Sequence, residues 1–149
     1  MNQGNIILQT TANLESLEQT LKETIVSELS KPQRFCLWLK GEMGAGKTTL
    51  TKKILDWFGL HERTLVTSPT YSYINEYEIE GSMFAHIDFY RADPSMTHDE
   101  IGVTLNQEYR GLIIEWPQNI MTTDLITPTH MLTIESFSQD SRQYSLARC

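Results

Sequence analysis

The sequence predicts an α/β fold, a three-layer sandwich on a mostly parallel central sheet with one inserted β-hairpin, and three observations carry that expectation. A glycine-rich loop, Gly41-Glu42-Met43-Gly44-Ala45-Gly46-Lys47-Thr48, stands between an apolar run and a helical pattern. A second continuous apolar run, Gly111-Leu112-Ile113-Ile114, has the composition of a parallel strand covered on both faces. Between them, residues 66–90 alternate with period two, as the strands of a hairpin do. A chain of 149 residues has the length for one domain with its own core, 1–149, and hardly for two.

The loop fills every fixed position of the phosphate-binding pattern G-x-x-x-x-G-K-[ST]. Phe35-Cys36-Leu37-Trp38-Leu39 leads in as a buried strand ending at Lys40. Leu50, Ile54, Trp57 and Phe58 lead out at helical spacing, which predicts a helix from Lys47 to Phe58 with Gly59 as its C-cap. Strand, loop and helix in that order make a P-loop NTPase sandwich the expected architecture. Glycines 41, 44 and 46 let the backbone wrap with its N–H groups inward, and the helix N-terminus adds partial positive charge, so main chain can grip a polyphosphate. Lys47 then reaches the β- and γ-phosphates, and Thr48 offers a hydroxyl to Mg²⁺, a hard cation that prefers oxygen. A glycine-rich turn that only packs a helix on a sheet has no use for Lys-Thr at that offset.

Along the chain, Asn5 to Gln9 reads as an opening strand, with Thr10, Thr11 and Asn13 as cap chemistry for the helix that follows. That helix carries Leu14, Leu17, Leu21, Ile25 and Leu29 on one face and is closed off by Pro32. Thr67-Ser68-Pro69-Thr70 opens the period-two region, Glu80-Gly81-Ser82 offers its turn, and Met83 to Asp88 resumes the strand. His86 and Asp88 are two apart, so both project from one face and can point into the site. A polar segment with Ile101, Val103 and Leu105 suggests a helix. The apolar run at 111–114 ends in Glu115-Trp116-Pro117. In open α/β sheets the ligand lies outside the carboxyl ends of the strands, which puts Glu115 beside the ion held by Thr48; a solvated strand-end acid is the alternative. Leu125 to Ile134 and Tyr144 to Ala147 suggest two more strands, separated by a turn at Gln139-Asp140-Ser141.

A formal charge of −7 argues against a nucleic-acid surface, so any link to RNA is expected to run through a partner. Cys36 inside an apolar strand and Cys149 at the last position suggest no disulfide framework and fit a reducing compartment. With no signal-like start and no apolar run of membrane-spanning length, a cytoplasmic location is expected. The Asn-Lys-x-Asp motif by which GTPases read their base is absent, and Asp99-Glu100-Ile101-Gly102 matches D-x-x-G without an apolar strand before it.

Five stretches taken together carry a resemblance. The loop at 41–50, Ser68-Pro69-Thr70-Tyr71, His86-Ile87-Asp88-Phe89-Tyr90-Arg91, Ile101-Gly102 and Ile114-Glu115-Trp116-Pro117 resemble the successive motifs of the TsaE (YjeE) family. These are small bacterial P-loop ATPases required for N6-threonylcarbamoyladenosine (t6A) at position 37 of tRNAs that read codons beginning with A. The resemblance covers nearly the whole chain, in order and spacing. It implies that Gly41, Gly44, Ala45, Gly46, Lys47, Thr48 and Thr49 cradle the phosphates of ATP or ADP, and that Thr48 and Glu115 hold Mg²⁺. It implies a catalytic set of Lys47, Asp88, Glu115 and Thr70, with Ser68-Pro69-Thr70 sensing the γ-phosphate and Asp88 or Thr70 positioning the attacking water. Thr11 aligns with a segment that approaches adenine, though a helix cap explains it equally. Trp116 divides evenly between a ligand- or partner-facing role and core packing. Phe89 stands where the family more often has leucine. The implied partner is the TsaB–TsaD heterodimer, hydrolysis resetting the synthase between rounds. Arg34, Arg63, Arg91, Arg110, Arg142 and Arg148 are scattered singly, so no arginine finger is evident and a partner would complete the site. A small-molecule P-loop kinase and a slow nucleotide-dependent switch are the competing classes.

Overall fold

The computed structural model describes residues 5–12, 14–69, 72–93, 95, 108–119 and 127–149. Two helices and seven strands follow one another along them: β1 (Asn5–Ala12), α1 (Leu14–Ser30), β2 (Phe35–Lys40), α2 (Lys47–Trp57), β3 (Ile74–Ile79), β4 (Ser82–Asp88), β5 (Tyr109–Glu115), β6 (His130–Ser136) and β7 (Arg142–Arg148). A short 3-10 turn, Pro117–Asn119, follows β5. The strands form one sheet in the order β1-β7-β6-β2-β5-β4-β3.

The sheet is mixed. Pairings β2–β5, β2–β6 and β4–β5 are parallel, whereas β1–β7, β3–β4 and β6–β7 are antiparallel. This corrects the expectation of a mostly parallel sheet. The buried centre is parallel as expected, and hairpin-joined or terminal strands flank it on both sides. The expected hairpin follows α2 as β3 and β4 and is part of the sheet itself: β4 pairs directly with β5, and β3 is the outer strand. Its turn uses two residues, Glu80 and Gly81, at φ 50° and 81°, the left-handed pair that matches the twist of a tight hairpin.

Leu21, Ile25 and Leu29 of α1 are fully buried, one per helical turn, and join Leu50, Ile54 and Leu55 of α2 against Leu37, Leu39 and Ile113 of the sheet. Burying a side chain of this size stabilises by about 1.5–3 kcal/mol, so this face is the main apolar core. α2 ends one residue earlier than expected, at Trp57 with Phe58 as C-cap; Gly59 (φ 107°) follows, its N–H bonding Asp56 O while that of Leu60 bonds Leu55 O. The opposite face holds a second cluster, Cys36, Ala85, Ile87, Phe89, Tyr109 and Ile114. Both described helices lie on the first face. The helix expected around Ile101 to Leu105 lies outside the described residues, as does the Asp99-Gly102 match. Gly111 stands opposite Phe35 in the β2–β5 register, and a Cβ there would come within 2.3 Å of the Phe35 ring. That gap lets Phe35 lie against Phe58 and Phe84, with ring centroids 5.6 and 6.2 Å away.

β1 runs three residues further than expected, through Thr10, Thr11 and Ala12. These threonines are therefore strand residues paired to Tyr144 and Gln143, not a helix cap. β6 starts at His130, within the expected 125–134 span, and ends at Ser136. Phe137 and Ser138 donate to Ser141 O across the turn before β7.

Candidate functional site

Lys47, Thr48, Asp88 and Glu115 gather where β2, β4 and β5 end. Because β2, β5 and β4 are parallel neighbours, Leu39, Glu115 and Asp88 come into register at their carboxyl ends. The loop leaving β2 therefore opens beside Glu115. Gly44 and Gly46 sit at φ 79° and 103°, a conformation that a residue with a Cβ adopts at a cost. Gly46 is the N-cap of α2 and offers no side-chain cap, so the first N–H groups of the helix face the loop interior without a side-chain acceptor. Such a helix start suits an anion.

Lys47 is buried, with Nζ donating to Gly41 O at 2.7 Å and Glu42 O at 2.9 Å. An ammonium has three donors, so one remains for a ligand. Burial pushes the Lys47 pKa down, and Glu115, Asp88 and Glu42 partly restore it by their charge. Its Nζ also lies 4.7 Å from the centroid of the Trp116 ring. Trp116 has φ 55°, which for a non-glycine costs about 1–3 kcal/mol and is typical of functional corners. The indole leans on Tyr90, centroids 5.1 Å apart, lines the cleft and also packs against the second apolar cluster, so both of its sequence readings find support.

Glu115 is 2% exposed, and its oxygens lie 3.3 and 3.4 Å from Thr48 Oγ1. His86, fully buried on β4, brings Nε2 to 2.6 Å from Glu115 Oε2. Asp88 accepts from Ser68 Oγ at 2.7 Å and from the Tyr90 N–H at 2.8 Å. Ser68 is thereby tied to the end of β4, and the tie is reinforced by Tyr73, whose O accepts from Asp88 N while its N–H bonds Pro69 O. Thr70 lies outside the described residues.

The cleft these groups enclose has a volume of about 500 Å³ and is bordered by Gly44, Lys47, Thr48, Thr49, Asp88 and Glu115 among others. Arg91 stands on its rim, although its isolated place in the sequence gave no reason to put it there. The signal was its position three residues past Asp88, just beyond the end of β4. Ala45 and Thr49 border a neighbouring hollow of about 250 Å³ with Arg142 and Tyr144. Thr11 does not line the cleft; it is exposed in β1 opposite Gln143, one strand out from that hollow. Among the described residues no cluster of three or more His, Cys, Asp and Glu forms a metal cage. Thr48 and Glu115 supply oxygen donors, which is the ligand type of a hard cation that keeps few protein contacts.

Fold and site together define an α/β protein with a mixed sheet and a glycine-rich loop at the strand ends. The model of a protein family described as threonylcarbamoyl adenosine biosynthesis protein TsaE matches residues 8–145. The chain belongs to the TsaE family. It is 33% identical over 138 residues to a tRNA threonylcarbamoyladenosine biosynthesis protein TsaE of Aquifex aeolicus, covering 91% of this chain and 93% of that one. It is 29% identical over 135 residues to the protein of the same description from Rickettsia conorii, covering 89% of this chain and 75% of that one. The crystal structure of Bacillus subtilis YdiB has the same fold, with a TM-score of 0.65 at 22% identity over 95% of this chain and 84% of that one. No described helix is long and apolar enough to cross a membrane.

Proposed function

We propose that this chain hydrolyses ATP with Mg²⁺ in support of t6A modification of tRNA, acting with the TsaB–TsaD heterodimer to reset the synthase. The observation that carries this reading is the meeting of the glycine-rich loop with Glu115. An anion cradle, a lysine and a buried carboxylate 3.3 Å from a loop hydroxyl converge on one cleft. Phosphoryl transfer asks for positioning and charge neutralisation and little covalent protein chemistry, and these groups provide both.

In this reading the N–H groups at the start of α2 hold the phosphates, and the third donor of Lys47 reaches the β- and γ-oxygens. Thr48 and Glu115 would hold Mg²⁺, which would supply charge neutralisation for the phosphates. Asp88 keeps acceptor capacity beyond its bonds from Ser68 and Tyr90 and orients the water, with Thr70 as the other candidate. Trp116 and Tyr90 wall the cleft on one side. Arg91 lies on the rim of the same cleft, and the partner completes the rest.

The test is phosphate release from ATP with and without Mg²⁺, for the chain alone and with the heterodimer, beside t6A content of tRNA from cells that lack the chain. Stimulation by the partner and loss of t6A are expected. Phosphate transferred to a small acceptor would instead establish the kinase class, and fully modified tRNA in the deletion strain would remove the cellular role.

A further inference from the structure

His86 takes no part in the function just described, yet it is a wholly enclosed polar side chain near the site. It is fully buried and does not line the cleft, so it cannot touch a ligand there. Its one polar contact among the described residues is Nε2 to Glu115 Oε2 at 2.6 Å; Nδ1 has no hydrogen-bond partner among them. A buried polar atom left unsatisfied is costly, and the same position one step back on that face of β4 is filled by Phe84. An apolar side chain would thus serve the core better. What the imidazole provides that an apolar group cannot is a donor to Glu115.

Toward an ionised carboxylate, which only accepts, the imidazole donates from Nε2 in the tautomer that places the proton there. A short bond to one oxygen fixes the rotation of the carboxylate about its last carbon–carbon bond. The same carboxylate stands 3.3–3.4 Å from Thr48 Oγ1 and borders the cleft. The strand register makes this possible, because Asp88 pairs with Glu115 and His86 projects from the same face two residues earlier. Groups that hold a ligating side chain in place typically change metal affinity or activity by about 10–100-fold when removed.

We propose that His86 is a positioning residue that holds the Glu115 carboxylate toward Thr48 and the cleft, and so sets the affinity of the site for a divalent cation bound with nucleotide. The proposal rests on the nucleotide and Mg²⁺ reading above. It separates two parts of binding. The phosphates are gripped by the loop and Lys47, which His86 does not touch, whereas the cation depends on how Glu115 is presented.

The test is calorimetric titration of the chain with ADP, in Mg²⁺ and in EDTA, for wild type, His86→Leu, His86→Gln and His86→Asn, with circular dichroism to check folding. Gln carries its amide to the place of Nε2, whereas Asn reaches only that of Nδ1. His86→Leu and His86→Asn are expected to bind ADP in EDTA like wild type and to weaken Mg²⁺ by about tenfold or more. His86→Gln is expected to restore most of that loss. In a Glu115→Gln background, the Leu substitution should add nothing, since its route of action is gone. Wild-type Mg²⁺ dependence in His86→Leu, or in His86→Asn should the Leu variant not fold, overturns the role of His86 alone. So does a Gln variant as impaired as Asn. Wild-type protein that binds no ADP, or binds it without regard to Mg²⁺, overturns the nucleotide reading and this proposal with it.

Discussion

Two glutamates of this chain are buried beside histidines, and they have opposite surroundings. Glu28, on α1, accepts from Lys31 and Arg148 and lies 3.6 Å from His130 Nε2. Its charge is fully met by protein, and the Lys31 hydrogen bond, followed by the Arg148 bond and both charges, lowers its pKa to about 2 against the opposing effect of burial. Glu115, at the carboxyl end of β5, has among the described residues His86 on one oxygen and the Thr48 hydroxyl at 3.3–3.4 Å. Saturation makes the first pair a structural joint between α1, β6 and β7. In the proposed reading, incomplete satisfaction leaves Glu115 able to take a further cationic ligand, which is how a site would differ from a clasp built of the same residue types.

The largest effect expected on this contrast is at Glu115 and Lys47. Lys47→Ala or Glu115→Gln should lower ATP turnover by about a hundredfold or more, the scale of removing one group aimed at developing charge. Thermal melting of Glu115→Gln should stay level or rise, because a buried charge held for function is commonly a stability cost. A drop in melting temperature with turnover intact would reverse the assignment of the two pairs. Next in size, Glu28→Gln should lose about 1–2 kcal/mol of stability in denaturant unfolding, with unchanged turnover. Both partners of Glu28 are about half exposed, which keeps this below the cost of breaking a fully enclosed pair.

Acid sharpens the comparison further. A carboxylate with a depressed pKa in the folded chain stabilises above its ordinary value of 4.5 and loses that contribution as pH falls toward about 2. The stability gap between wild type and Glu28→Gln should therefore close across that window, and a gap independent of pH would refute the charge-based account of Glu28. The smallest effect concerns His130, whose pKa is lowered chiefly by burial although Glu28 opposes this. A buried neutral imidazole favours the folded state above 6.5 and ceases to as pH falls below it. His130→Gln should remove that early part of the acid loss, measured as the slope of melting temperature between neutral pH and the carboxylate range.

How much of this was legible in the sequence depended on whether the signal was local. The β2–loop–α2 unit was, because glycines, lysine and threonine sit at fixed offsets between two periodic patterns. Glu115 was legible because an apolar run stops at it. Thr10 and Thr11 were misread because threonine suits both a cap and a strand; the pairing of β1 with β7, more than 130 residues on, decided for strand. The balance of parallel and antiparallel pairs was hidden for the same reason, since strand order is fixed by contacts far apart in the chain. His86 was seen to share a face with Asp88, but its bond to a residue 29 positions away needed the β4–β5 register. Arg91 came to the rim only because the chain turns there.

The indole of Trp116, caught between the Lys47 ammonium and the Tyr90 ring, also makes this protein its own optical instrument. With Trp38 and Trp57 exchanged for phenylalanine, the remaining emission would come from the one ring that touches the loop lysine. Arrival of a phosphate-bearing molecule that draws the ammonium away should then brighten or shift that emission without any added label. A spectrum blind to ADP would mean that the ammonium keeps its place on the ring while the loop fills.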